Sequence, residues 1–152
     1  MEPNPKIMRY CLWLLSRRDY SISEIRKKLT EKEYSPDEIE IAVMRLADIG
    51  LLDDRRFSEN YIRAHPSRGK IRIKYELLRR GINIDLLEEI AGDPNKSSQI
   101  SQALEVAKTW WLRKNKPDVD KYKLKQQLMA KLSRQGFEYE VIREAIGQLL
   151  EK

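Results

Sequence analysis

A spacing pattern that occurs three times in the chain constrains its fold more than any other feature. With Leu29, Leu77 and Leu132 as anchors, Ile25, Ile73 and Leu128 stand four positions earlier. Five positions after the anchors come Tyr34, Ile82 and Phe137, ten after come Ile39, Leu87 and Ile142, and fourteen after come Val43, Ala91 and Ile146. Side chains four apart share one face of an α-helix. Each copy therefore reads as a helix that ends just past its anchor, a turn stapled by the residue at plus five, and a second helix with its own apolar face. The positions at plus six and plus eight are polar: Ser35 and Asp37, Asn83 and Asp85, Glu138 and Glu140. Ser35 and Asn83 suit the N-cap, Pro36 suits the first helical position, and the acids suit the positive end of a helix. Gly81 and Gly136 stand at plus four, where a left-handed residue ends a helix. Glu33 holds that place in the first copy, so its turn is expected to differ slightly.

An apolar helix precedes each pair, roughly at 7–16, 55–65 and 98–114. The expected fold is all-α: three tandem three-helix, helix-turn-helix-like repeats in an elongated arrangement, at 1–52, 53–96 and 97–152. The anchors are unequally spaced, which suits diverged modules better than a rigid solenoid. Expected joints are Gly50-Leu51-Leu52-Asp53-Asp54 and the stretch 92–98, where Gly92, Pro94, Asn95 and Ser97 make the better linker. Lys116-Pro117-Asp118 reads as a loop within the third repeat. Only six glycines and six prolines occur, and no strand-like alternation of any length is present.

Charge gives the first indication of a partner. The 30 basic and 24 acidic residues leave a net charge of +6, which draws a protein to polyanions. The excess is uneven: residues 1–52 are neutral, 53–98 carry +2 and 99–152 carry +4. One basic cluster contains Arg63, Arg68, Lys70, Arg72, Lys74, Arg79 and Arg80, with Glu76 opposing. A second contains Lys108, Arg113, Lys114, Lys116, Lys121, Lys123, Lys125, Lys131 and Arg134, against Asp118 and Asp120. Arg72 and Arg79 are two helical turns apart and share a face, a stripe suited to phosphates or an acidic groove. The competing explanation for either cluster is a solvated face that serves solubility alone. The candidate binding residues are Arg68, Lys70, Arg72, Lys74, Arg79, Arg80, Lys121, Lys123, Lys125, Lys131 and Arg134.

Catalysis finds no support. The single histidine, His65, has no Cys or His partner at metal-ligand spacing and reads as a helix-end residue. Asp53 or Asp54 reads as the cap of the helix carrying Phe57, Tyr61 and Ile62 rather than as a metal site. Neither GxxxxGK[ST] nor GxGxxG occurs, so no enzyme, metal or cofactor is expected. The lone Cys11 reads as a small buried hydrophobe and points to a reducing compartment, hence the cytoplasm. No apolar run is long enough to span a membrane, and no signal peptide is recognisable. Trp13 lies in an apolar run and reads as core, whereas at most one of Trp110 and Trp111 can face a core fully.

The stretch Gly50-Leu51-Leu52-Asp53-Asp54-Arg55-Arg56-Phe57 resembles a signature of the RecX family, regulators of the RecA recombinase. Ile73 to Ile82, with Leu77 and Arg80-Gly81-Ile82, looks like that family's second repeat, and Ser23-Glu24-Ile25-Arg26-Lys27-Lys28-Leu29 is similar to its first. The resemblance implies three tandem three-helix repeats and no active site. It also implies binding in the groove of the RecA–DNA filament, so that filament growth, strand exchange and coprotease activity are damped. Two departures stand out: the chain starts almost directly at its first helix, and Glu33 replaces a glycine often seen at that turn. The expected partners are the RecA filament and single-stranded DNA, met through the filament or weakly alone, with no membrane and a monomeric chain. The rival reading is a helix-turn-helix protein acting directly on DNA. It is disfavoured by the acids Asp37, Glu38 and Glu40, and Asp85, Glu88 and Glu89, on the helices that would read bases.

Overall fold

In the computed structural model, residues 1–91 and 96–151 are described, and the side chain of Ala91 is not. These residues form α1 (Pro5–Arg17), α2 (Ile22–Glu31), α3 (Pro36–Asp48), α4 (Asp54–Ala64), α5 (Lys70–Arg79), α6 (Ile84–Ala91), α7 (Lys96–Lys114), α8 (Lys121–Arg134) and α9 (Tyr139–Leu150). The described residues contain no strand, and the helices follow one another as three groups of three. Helix α7 begins at Lys96, so Lys96, Ser97 and Ser98 are helical rather than linker. The rest of that expected linker, 92–95, lies outside the described residues.

The three turns between the second and third helices of each group share one hydrogen-bond pattern. The backbone N–H groups of Tyr34, Ile82 and Phe137 donate to the carbonyls of Leu29, Leu77 and Leu132 at 3.3, 3.1 and 3.2 Å. One residue earlier, Glu33, Gly81 and Gly136 donate to Thr30, Leu78 and Ser133. These are the paired bonds of a Schellman ending, which requires a left-handed residue. Gly81 and Gly136 have φ of 85° and 95°, and Glu33 has φ of 64°. The first turn thus matches the other two despite its glutamate, contrary to the sequence expectation. The two backbone bonds and the tucked residue at plus five outweigh the roughly 1–2 kcal/mol cost of a left-handed side chain.

Helix starts follow from their caps. Ser21 and Ser35 form reciprocal capping boxes with Glu24 and Glu38, and Asn83 accepts from the N–H of Asp85 at 2.8 Å. The side chain of Asp53 accepts from the N–H groups of Arg55 and Arg56, so Asp53 caps α4.

The periodic positions with described side chains are buried as the spacing requires, apart from Tyr34, which is half-buried. One core joins Ile7, Cys11, Leu14, Ile25, Leu29, Ile39, Val43 and Leu46 of the first group. A second joins Ala107, Trp110, Leu124, Leu128, Leu132, Phe137, Ile142 and Ile146 of the third. At roughly 1.5–3 kcal/mol per buried aliphatic side chain, these cores are the main stabilising contribution. Burial raises the Cys11 thiol to about 11, so at neutral pH it is a protonated core residue. The chain divides into two compact units, residues 1–61 with 77–90, and residues 62–76 with 91–152.

Within each unit a turn of one repeat receives the start of a helix from another, at matching positions. In the first unit the Ser21 hydroxyl donates to the Arg80 carbonyl at 2.6 Å. In the second the Gly69 N–H donates to the Gln135 carbonyl at 2.6 Å. Ser21 and Gly69 each stand eight residues before an anchor, and Arg80 and Gln135 each stand three after one. The neighbouring glycines are required sterically. A Cβ on Gly81 would lie 2.3 Å from the Ser23 side chain, and one on Gly136 would lie 2.3 Å from the Arg72 Cβ.

Candidate partner-binding surface

The basic residues separate into those held by the protein itself and those turned to solvent. In the second unit, Arg68 directs Nη1 to both oxygens of Glu76 at 3.1 Å. Arg72 meets the same carboxylate at 3.6 Å through Nε, and its Nη1 donates to the Gln135 side chain. The Lys70 backbone N–H donates to Gln99 at 3.2 Å, and its ammonium lies 3.9 Å from Glu138. Lys74 is half-buried on α5. In the first unit, Arg80 lies 3.4 Å from Glu24, with its guanidinium 5.8 Å over the Phe57 ring and 5.4 Å over the Tyr61 ring. Arg79 is exposed and lines a pocket with Lys27 and Lys28.

Helix α8 presents a different picture. Its sequence, KYKLKQQLMAKLSR, contains five cations and no acid. Its apolar residues Leu124, Leu128 and Leu132 face the core, which sends Lys123, Lys125 and Arg134 outward. No carboxylate lies within 4.0 Å of these three among the described residues. Lys121 turns back to the Asn115 side chain and the Lys116 carbonyl. Lys131 is half-buried and lines a cavity of about 490 Å³ together with Val106, Trp110, Arg113 and Gln135. That cavity was not foreseen from sequence, where Trp110 and Trp111 read as core or inter-repeat packing, with stacking on bases as the alternative. Trp110 is buried and Trp111 half-buried, as adjacent helical positions require.

The motif around Asp53 proves structural. Leu52 joins the first core, Asp53 caps α4, and the Asp54 carboxylate accepts from the Ile22 N–H at 2.9 Å. Burial raises the Asp54 carboxyl above its ordinary range, opposed by that same hydrogen bond. Arg55 pairs with Glu89, and Phe57 is buried beneath Arg80. The motif therefore ties α2, α4 and α6 of one unit together. His65 follows the end of α4, its N–H bonded to the Ile62 carbonyl. Among the described residues no group of His, Cys, Asp and Glu is arranged to hold a metal. No described helix is long and apolar enough to cross a membrane.

Helix triplets closed by recurring turns, with exposed cationic helix faces, define a tandem three-helix-repeat protein. Residues 8–46 match the first three-helix domain of RecX and residues 99–146 match the third. The chain is 35% identical over 140 residues to the Regulatory protein RecX of Chlorobium phaeobacteroides (strain BS1), covering 90% of this chain and 88% of that one. It is also 35% identical over 145 residues to that of Haemophilus influenzae (strain PittEE), covering 91% of each. The crystal structure of RecX from Lactobacillus salivarius shares the fold, with a TM-score of 0.82 at 22% identity over 95% of this chain and 94% of the other. The chain belongs to the RecX family of regulatory proteins.

Proposed function

We propose that the chain binds the RecA–DNA filament through a cationic surface centred on its third repeat, and so limits filament growth, strand exchange and coprotease activity. The supporting observation is the acid-free helix α8, whose Lys123, Lys125 and Arg134 are exposed and unpaired among the described residues. Cations kept clear of internal carboxylates have no screening partner to lose when they meet phosphate or an acidic groove. Lys121 and Lys131 flank them. Arg68, Lys70, Arg72, Lys74, Arg79 and Arg80 form a second rank, in which several guanidinium groups already hold protein partners. The repeats 1–52, 53–96 and 97–152 serve as linked contact modules, which gain avidity on a repeating filament. The protein acts as a monomer in the cytoplasm and by occupancy rather than chemistry.

The test titrates labelled single-stranded DNA with the protein, with and without recombinase and ATP. Binding that depends on the filament supports the proposal. Tight, sequence-dependent duplex binding without recombinase supports direct DNA recognition instead. The acids Asp85 and Glu140 in the first turns of α6 and α9 argue against that outcome, because they repel phosphate where bases would be read.

A further inference from the structure

The first repeat is electrically neutral as a whole, yet its charge is separated by helix. Helix α1 holds Lys6, Arg9 and Arg17 and no acid, whereas α3 holds Asp37, Glu38, Glu40 and Asp48 against Arg45. The sequence expectation that Trp13 is core fails here, for Trp13 is 54% exposed. Residues advance 100° around a helix, so six consecutive apolar residues cannot all face inward. Ile7, Cys11 and Leu14 take the core. Lys6, Arg9, Tyr10, Trp13 and Arg17 then fall within an arc of about 100° on the adjoining side.

The geometry of that arc is specific. The Tyr10 and Trp13 rings stack at 6.3 Å with 17° between their planes. The Arg17 guanidinium lies 5.0 Å from the Trp13 ring centre, and the Lys32 ammonium, from the end of α2, lies 5.0 Å from the Tyr10 ring centre. None of Lys6, Arg9, Arg17 and Lys32 has a carboxylate within 4.0 Å among the described residues. The stripe from Lys6 to Arg17 is about 16 Å long, the rise of a few stacked nucleotides.

We infer that this face of the first repeat is a stacking site for single-stranded nucleic acid: a base lies on the exposed Trp13 ring, and Lys6, Arg9, Arg17 and Lys32 take the flanking phosphates. A half-exposed indole set among cations that hold no carboxylate is complementary to a ligand that alternates flat rings with single negative charges. An acidic protein segment would satisfy the cations but make no use of the exposed part of the indole. This inference deepens the single-stranded DNA part of the proposed function. It rests on other residues than the filament contact on α8.

The test measures anisotropy of a short labelled oligothymidylate at low salt, with no recombinase present. Trp13→Ala is expected to weaken binding at least about fivefold, the low end of the stacking range. Trp13→Phe is expected to retain most of the affinity, and Arg17→Gln with Lys32→Gln to lower both affinity and salt dependence. Far-UV circular dichroism should stay unchanged, because Trp13 is mostly outside the core. No binding by the natural chain, or equal binding by Trp13→Ala, overturns the inference. So does competition by a polyglutamate peptide as strong as that of unlabelled oligothymidylate, which would mark the face as a site for an acidic protein. Because the recombinase is absent, a negative result here leaves the α8 contact standing.

Discussion

Helices α5 and α8 hold the same place in their repeats and are both rich in cations, yet they use them differently. Around α5, Arg68 and Arg72 share Glu76, and Arg72 also reaches Gln135. On α8, Lys123, Lys125 and Arg134 stand in solvent with no carboxylate partner among the described residues. One cause is that α5 carries Glu76 while α8 carries no acid, and another lies at the helix starts. The first turn of α5 rests on the turn that ends α8, with the N–H groups of Gly69 and Ile71 bonded to the carbonyls of Gln135 and Gly136. Helix α8 instead starts from its own loop, where Asp120 accepts from the N–H groups of Tyr122 and Lys123. Docking draws one guanidinium, that of Arg72, to Gln135, and Glu76 of α5 holds Arg68 and Arg72, whereas α8, capped locally and without an acid of its own, keeps its lysines available.

The largest test of this contrast attacks the joint. In Gly136→Ala the residue would sit at φ 95° with its Cβ 2.3 Å from the Arg72 Cβ. Strain and overpacking together are expected to cost about 3 kcal/mol, lowering the thermal midpoint by about 6–12 °C. A midpoint within about 2 °C of the natural chain would show that the joint yields easily. Next comes the shared carboxylate. Glu76→Gln, which leaves Arg68 and Arg72 with a neutral partner, is expected to cost about 1 kcal/mol, the value being held down by solvent screening. Filament affinity should stay within about twofold; a larger loss would move the contact surface toward α5.

The smallest expected effect compares the turns themselves. Glu33 is left-handed at φ 64° and exposed. Glu33→Gly relieves the side-chain penalty but adds freedom to the unfolded chain, so a net stabilisation of about 0.5 kcal/mol is expected by denaturant melting. A loss of stability would mean that the glutamate side chain itself supports the turn.

The helices, their ends and most of their cores were legible because each rests on local rules. Burial at four-residue spacing located Ile25 with Leu29 and Leu128 with Leu132, and Ser35 with Pro36 located the start of α3. What joins the repeats was not legible, since it depends on residues far apart in sequence. Ser21 meets Arg80 across 59 positions and Arg72 meets Gln135 across 63. The pairing of Arg68 and Arg72 with Glu76 is local, and the sequence already set Glu76 against that cluster; the contacts of Arg72 with Gln135 and of Arg80 with Glu24 are the ones it could not show. Trp13 was misread for a different reason, because the apolar run around it was wider than the buried face of one helix.

The account turns on the claim that the α8 cations meet the filament while the α5 cations hold the fold. Its most direct measurement pairs two charge-reversed chains, Lys123→Glu/Lys125→Glu/Arg134→Glu and Arg68→Glu/Arg72→Glu, in one filament-binding titration and one thermal melt. The account predicts that the first loses about tenfold or more in affinity, about 1.4 kcal/mol, with its melt unchanged. It predicts that the second melts earlier and, below its midpoint, keeps most of its affinity. Full affinity in the first chain, or a greater affinity loss in the second at an unchanged melting temperature, would contradict it.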